Sequence, residues 1–421
     1  MKLSRTLLES ASEATALACK LDRPADTVLS EFFRNNRGLG SHDRPFVADT
    51  VFSVLRNKRL LEAIVPDPDP RRLVLASLLK LQGMSIKALE PVVGRLDQPW
   101  LITVKRSVTD ALPPAVRLSL PDWLWQRLEA QYGKDEAIRL GRALLEPAPL
   151  DLRVNTLAAT RQEILESFEA QGIDAAATPY SPFGIRLQSK PALNRNELFL
   201  NGKIEVQDEG SQLVGMLVAP ARRQMVVDFC AGAGGKTLLL GALMHNQGRL
   251  YAYDISTKRL ESLKQRLKRS RLSNVHPQMI GSERDPRIKR LAGKIDRVLV
   301  DAPCSGLGTL RRNPDMKWRQ APESVDELAS KQRRILAASS QLLKPGGRLV
   351  YATCSLLAEE NEEIVDDFLA AQGSRFRLLD WRSILSEQGV SLPASRYFRV
   401  LPQSHHCDGF FGAVLERTQA V

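Results

Sequence analysis

The chain has 421 residues, 43% hydrophobic and 26% charged, an ordinary globular composition in a chain too long for one core. Its formal net charge is +12, from Lys+Arg 60 against Asp+Glu 48, which points to a polyanionic partner. No apolar run is long enough to span a bilayer. Glu9 and Glu13 interrupt the first apolar pattern, against a signal peptide. Five cysteines, odd and scattered, exclude a disulfide framework and fit a reducing cytoplasm.

Residues 1–140 read as helical. Apolar residues recur at helical spacing in Leu7-Leu8-Ala11-Ala14-Leu17, Val47-Val51-Val54-Leu55 and Leu73-Leu75-Leu78-Leu79. Arg34, Arg37, Arg44, Arg56, Lys58 and Arg59 crowd this region and predict a basic face for RNA. Cys19 falls on the apolar pattern and is expected in the core. Pro147 and Pro149 mark a boundary, after which Leu150 to Asn155 alternates like a strand. A helix from about Arg161 to Gln171 and the strand Gly184–Leu187 follow, so residues 146–220 read as a small α+β domain.

From 221 to 421 strands alternate with helices. Predicted strands are 225–229, 250–254, 275–280, 297–300 and 348–351; predicted helices are 236–244, 258–271 and 325–343, the last ended by Lys344-Pro345-Gly346-Gly347. Continuous apolar strands separated by helices predict a mostly parallel sheet covered on both faces. Basic residues cluster at Lys258 to Arg271, Arg284 to Arg290 and Arg311 to Arg319, again suiting a polyphosphate.

Between the first strand and helix of this sheet lies Asp228-Phe229-Cys230-Ala231-Gly232-Ala233-Gly234-Gly235-Lys236-Thr237. It fails the phosphate-cradling loop, because Cys230 stands where a glycine is needed, and the dinucleotide fingerprint, because Thr237 takes the third small position. Asp254 ends the next strand, about twenty positions after Gly234, where a carboxylate can accept ribose hydroxyls. The pattern suits a nucleoside-bearing cofactor without a pyrophosphate, and S-adenosylmethionine is the candidate. Two further motifs follow predicted strands: Asp301-Ala302-Pro303-Cys304-Ser305-Gly306 and Tyr351-Ala352-Thr353-Cys354-Ser355. Two thiols at the carboxyl rim of an α/β sheet, where ligands bind, suggest covalent chemistry.

The loop Cys230 to Lys236 and the two cysteine motifs together resemble the RsmB/Nop/Sun family of RNA 5-methylcytosine methyltransferases, specifically the bacterial RsmB type that acts on 16S ribosomal RNA. Arg153-Val154-Asn155-Thr156, Val206 to Ser211 and Asp408-Gly409-Phe410-Phe411 resemble further landmarks of that family. The segment holding Phe32-Phe33-Arg34 and Leu39 to Arg44 is similar to its NusB-like domain. The resemblance implies a class I S-adenosylmethionine-dependent methyltransferase, α/β and Rossmann-like with a mostly parallel sheet, preceded by an all-α NusB-like domain and a small α+β, RRM-like domain. It implies Cys354 as the nucleophile that adds to cytosine, Cys304 as the residue that assists release, and Asp301 and Lys236 against the base. It implies cofactor contacts from Cys230, Ala231, Gly232, Ala233, Gly234, Gly235, Lys236, Asp254 and Asp301. Where the family has an acid facing adenine stands Ser282, with Glu283 and Asp285 beside it, and which of them meets adenine is open.

The chemistry explains the thiols. Carbon 5 of cytosine is a weak nucleophile until a thiolate adds at carbon 6. A flipped base and a single-stranded or distorted RNA are then expected. The alternatives are a tRNA or DNA cytosine-5 methyltransferase, the latter with Cys304 as nucleophile, or a non-catalytic RNA-binding assembly factor. His405-His406-Cys407 lacks the spacing of a metal site, so the expectation is RNA as partner, no metal, no membrane and a monomer.

Overall fold

The computed structural model describes residues 3–94 and 97–418. It resolves into two bodies, one of residues 1–147 with 309–322, the other of 148–308 with 323–421.

The first body is helical. Ser4 accepts a hydrogen bond from the Leu7 amide and starts helix Arg5–Ala18, and Asp69 caps helix Pro70–Ala76 with proline at its first turn. The helices Ala25–Asn35 and Asp43–Arg56 complete the group that buries Leu7, Leu8, Ala11, Val51, Leu55 and Leu75. Cys19 packs against this core. The expected basic face is smaller than the sequence suggests. Arg34, Arg37 and Arg44 are exposed, but Arg56 is buried and donates to the Arg311 carbonyl at 2.9 Å. Lys58 pairs with Glu62, and Arg59 with Asp122. The segment Thr309–Pro322, read from the sequence as part of the catalytic domain, belongs to this body. Lys317 is only 2% exposed and donates to the Arg56 carbonyl at 2.8 Å, while the Trp318 indole donates to the Leu55 carbonyl at 2.7 Å. Burial, with Arg56 adding repulsion, holds the Lys317 ammonium well below its usual range. Lys317 is therefore an internal tie and not part of a basic surface.

The second body begins with a four-stranded antiparallel sheet: β1 (Leu150–Val154), β2 (Ala175–Ala177), β3 (Gly184–Leu187) and β4 (Ile204–Val206), in the order β2-β3-β1-β4. Helix Arg161–Ala170, started by a capping box between Thr160 and Glu163, packs Ile164 and Phe168 on Leu152, Val154 and Ile185. The alternation along β1 implies one wet face, yet Asp151 and Arg153 are 1% and 2% exposed. Asp151 accepts from Nε and Nη2 of Arg186, one on each carboxyl oxygen, and Arg153 donates to Gln207 at 2.6 Å. Burying these polar groups is tolerable because each is hydrogen-bonded.

The second sheet contains β5 (Met225–Asp228), β6 (Arg249–Asp254), β7 (Val275–Met279), β8 (Ile295–Asp301), β9 (Leu343–Thr353), β10 (Phe376–Leu378), β11 (Phe398–Val400) and β12 (Phe410–Arg417). Its order is β10-β12-β9-β8-β5-β6-β7, with β11 on β12. The strands β5 to β9 run parallel and β12 runs antiparallel beside β9. Successive residues serve opposite faces: Val298 and Val300 enter one core, Leu299 the other. Lys344 to Gly347 lies within β9 as an irregularity opposite Ile295 and Arg297, since helix Pro322–Ser340 has already ended. Helix Glu209–Leu217 packs Leu213, Val214 and Leu217 into this core, so catalytic packing starts upstream of residue 221. β5 has β6 on one side and β8 on the other, which makes its carboxyl end the switch point where such sheets bind ligands.

Candidate active site

Asp228, Asp254, Asp301 and Thr353 end β5, β6, β8 and β9 at the same rim. The turn after β5 is built around two glycines with positive φ, Gly232 at 56° and Gly234 at 89°. A side chain on Gly234 would meet Leu263 Cδ1 at 2.1 Å, whereas no atom of the described residues lies within 4 Å of the place one would occupy on Gly232. Gly232 thus presents open backbone, and helix Gly235–Leu243 starts just beyond it. Ala231 is buried in the core and contributes backbone only, its amide donating to the Tyr253 carbonyl at 2.8 Å. Cys230 packs partly into the core, and burial, reinforced by Asp228, raises its thiol out of reach of ionisation. The Ala233 carbonyl accepts from Arg266 at 2.9 Å.

Asp254 accepts the Gly232 and Ser256 amides, one on each carboxyl oxygen, both at 2.8 Å. Each oxygen keeps a second lone pair for a ribose hydroxyl. Asp228 Oδ2 accepts the Thr237 hydroxyl at 2.7 Å, while its Oδ1 is buried with no hydrogen-bond partner among the described residues. Open glycine backbone, free acceptor capacity on Asp254 and a buried acceptor on Asp228 fit an adenosyl cofactor with a cationic end. Ser282 lies exposed beyond β7 and its hydroxyl accepts the Arg284 amide at 3.2 Å. Glu283 pairs with Arg334, and Asp285 is occupied by the Gly281 and Arg287 amides.

The two thiols meet. Cys304 Sγ and Cys354 Sγ are 3.4 Å apart, both partly exposed. Pairing of Asp301 with Ala352 aligns β8 and β9 so that their trailing loops converge. Lys236 Nζ lies 2.8 Å from Asp301 Oδ2 and 5.1 Å from the Phe410 ring centroid. Burial would depress the Lys236 ammonium, but Asp301 outweighs it, so the group is held above its usual value and stays charged. The hydrogen bond with Cys354 raises the Cys304 thiol well above its ordinary value, with burial and the Glu360 charge adding to the effect. Cys304 is therefore held as the thiol, and the Lys236 ammonium lies within electrostatic reach of the Cys354 sulfur.

The structure brings Lys236, Asp301, Cys304 and Cys354 together and places Asp254 with the glycine turn. It adds Asp228, Thr237 and Phe410, which the motifs contain without a role assigned to them, and Gln332 and Glu360, which lie outside the motifs. Asp228 opens the glycine loop and Glu360 stands six positions beyond Cys354, so an acid beside each motif was the available signal. His405 Nδ1 is taken by the Leu401 amide and Cys407 is buried in the core, in accord with a structural role for both.

A family model described as 16S rRNA methyltransferase RsmB/F matches residues 215–416, and one for the ferredoxin-like domain of RsmF/B-like methyltransferases matches residues 120–194. A protein of Synechocystis named probable ribosomal RNA small subunit methyltransferase B is 32% identical, over 90% of this chain and 92% of its own length. The solved structure of PH0851 is 25% identical with a TM-score of 0.81, covering 99% of this chain and 100% of that one. A methyltransferase homologue from Pyrococcus horikoshii is 29% identical with a TM-score of 0.62, covering 72% of this chain and 97% of that one. With its paired strand-end thiols, its glycine turn and this extent of similarity, the chain belongs to the RsmB/F family of ribosomal RNA methyltransferases.

Proposed function

We propose that the protein methylates carbon 5 of a cytidine in small-subunit ribosomal RNA through a transient bond between Cys354 and the base, in the cytoplasm. The 3.4 Å approach of the two sulfurs beside the Lys236–Asp301 pair is the observation that supports this most directly. The small-subunit RNA target follows the name of the Synechocystis relative. S-adenosylmethionine is the family's cofactor, and when bound it supplies an electrophilic methyl group.

The protein's own residues do the rest. Cys354 Sγ adds to carbon 6, forming a carbon–sulfur bond and moving a pair of electrons to carbon 5. Asp301 and Lys236 meet the polar edge of the ring and stabilise the charge that develops there. Once carbon 5 carries the methyl group, its proton passes to a general base, the carbon–hydrogen electron pair re-forms the carbon 5–carbon 6 double bond, and the carbon–sulfur bond breaks with its electrons returning to Cys354 as thiolate. Cys304, at hydrogen-bond distance from Cys354, assists this release. The test is incubation of the protein and methyl-labelled cofactor with 16S RNA, followed by nucleoside mass spectrometry. Label in 5-methylcytidine is the expected result. Label in another nucleoside, or in none, overturns the reading.

A further inference from the structure

The strand ends alone do not fix the two cysteines. Each sulfur follows its strand by one or more residues of loop, and each loop needs its own restraint. One restraint is backbone: the Gly308 amide donates to the Cys354 carbonyl at 2.8 Å. The other converges on a single side chain. Glu360 is 0% exposed, at the end of the turn Ala358–Glu360 before helix Glu362–Gln372. Its Oε1 accepts the Ser305 amide at 2.8 Å and the Gln332 amide at 3.0 Å. Its Oε2 accepts the Ser305 and Ser355 hydroxyls, both at 2.5 Å. Ser305 follows Cys304 and Ser355 follows Cys354. The same carboxylate therefore grips the residue next to each thiol.

The surroundings hold this grip in place. Gln332 also donates to the Pro303 carbonyl at 3.0 Å, tying the first loop to helix Pro322–Ser340. The Tyr351 hydroxyl donates to the Glu360 carbonyl at 2.7 Å, and Asn361 Nδ2 to the Ser355 carbonyl at 3.1 Å. Among the described residues Glu360 has no salt bridge. A buried carboxylate without a cation is costly, and its donors must offset that cost together. Here the four donors come from the two thiol loops and the helix behind them.

We propose that Glu360 is a positioning residue: it locks the Ser305 and Ser355 turns to each other and so sets the separation and aim of the Cys304 and Cys354 sulfurs. It touches neither thiol and acts through the two serines. The proposal rests on the reaction assigned above and deepens it. Misplacing a reacting group by about 1 Å can slow a reaction about 100-fold, and loss of this clip frees both loops together.

The experiment compares wild type, Glu360→Ala and Glu360→Gln. The readouts are cofactor affinity by calorimetry, kcat and KM for RNA, and trapping of the full-length protein on RNA containing 5-fluorocytidine. Glu360→Ala should bind cofactor within about twofold of wild type, keep its RNA KM and lose kcat about 100-fold. Glu360→Gln keeps an acceptor for the two amides while the serine hydroxyls rotate to meet its NH2, and should recover most of that loss. Wild-type kcat in Glu360→Ala overturns the proposal, as does a loss matched by equal weakening of cofactor binding or an effect confined to KM. Should Glu360→Ala not fold, the Ser305→Ala, Ser355→Ala double variant decides. A tenfold or larger fall in kcat (about 1.4 kcal/mol) supports the clip, and a wild-type rate overturns it. Failure of wild type to form the 5-fluorocytidine adduct overturns the underlying reaction and this role with it, whereas a normal wild-type adduct beside an unimpaired Glu360→Ala sinks the clip alone.

Discussion

Asp228 ends β5 with its carboxyl buried, and that burial, opposed by the Thr237 hydrogen bond and aided by Asp301, pushes its pKa up to about 7 from 3.8. In the unfolded chain the proton is lost near pH 4, while the folded chain keeps it to about pH 7. Raising the pH across that window therefore removes stability from the cofactor-free protein. Asp228→Asn should abolish this component. Melting curves are expected to show the variant gaining on wild type from about pH 4 to 7 and a constant gap above. A gap independent of pH would mean the carboxyl ionises normally. Asp254 gives a second test. Asp254→Ala should weaken cofactor binding at least tenfold, since it removes a ribose acceptor and frees the Gly232 and Ser256 amides. RNA affinity should stay nearly unchanged, and equal loss of both would misplace the ribose site. At this scale the candidate residues were legible because Asp254 ends a short apolar strand and Cys354 and Cys304 stand one and three residues beyond the ends of two others. Glu360 was not, because its role depends on Ser305 and Gln332, which only the fold brings within reach.

The elements of the second body depend on close approaches between segments far apart in sequence. Gly202 sits at φ 68°, and a side chain there would come within 2.2 Å of the Arg269 carbonyl. This brings the small sheet against helix Thr257–Ser270, where Glu205 pairs with Arg266 and Arg269. Gly202→Ala should cost about 2–4 kcal/mol, from strain at positive φ plus a backbone clash. Gly172→Ala, at φ 67° with no atom of the described residues within 4 Å, should cost only about 1 kcal/mol. Urea unfolding of both variants checks the difference, and equal costs would show that the approach at Gly202 relaxes freely. The parallel strands could be read from continuous apolar runs, since Val298, Leu299 and Val300 each find a core. The alternation of β1 misled, because helix Glu209–Leu217 and the Arg186 and Gln207 side chains cover the face that should be wet. β10 and β11, three residues each, are too short to show a period.

For the whole molecule, the excess of positive charge has two destinations that composition cannot separate. Arg56 and Lys317 lie inside the helical body, where charge serves packing. Lys258, Arg259, Lys264, Lys268 and Arg271 are exposed along and just beyond helix Thr257–Ser270, with no ion pair among the described residues. These, with the exposed Arg34, Arg37 and Arg44, are among the cations that a polyanion such as RNA can reach. Lys264→Ala with Lys268→Ala should reduce the slope of log affinity against log salt by about 1.4, at roughly 0.7 per phosphate contact on single-stranded RNA. An unchanged slope would place the RNA elsewhere. The pairing of residue 56 with 311 and 317 could not be foreseen, since no local pattern links positions so distant. The central claim is that Cys354 bonds the base and Cys304 frees it. Denaturing gels of the two alanine variants incubated with cofactor and unmodified 16S RNA test it directly. Cys304→Ala should accumulate a covalent protein–RNA complex and Cys354→Ala none, and the reverse pattern would contradict the account.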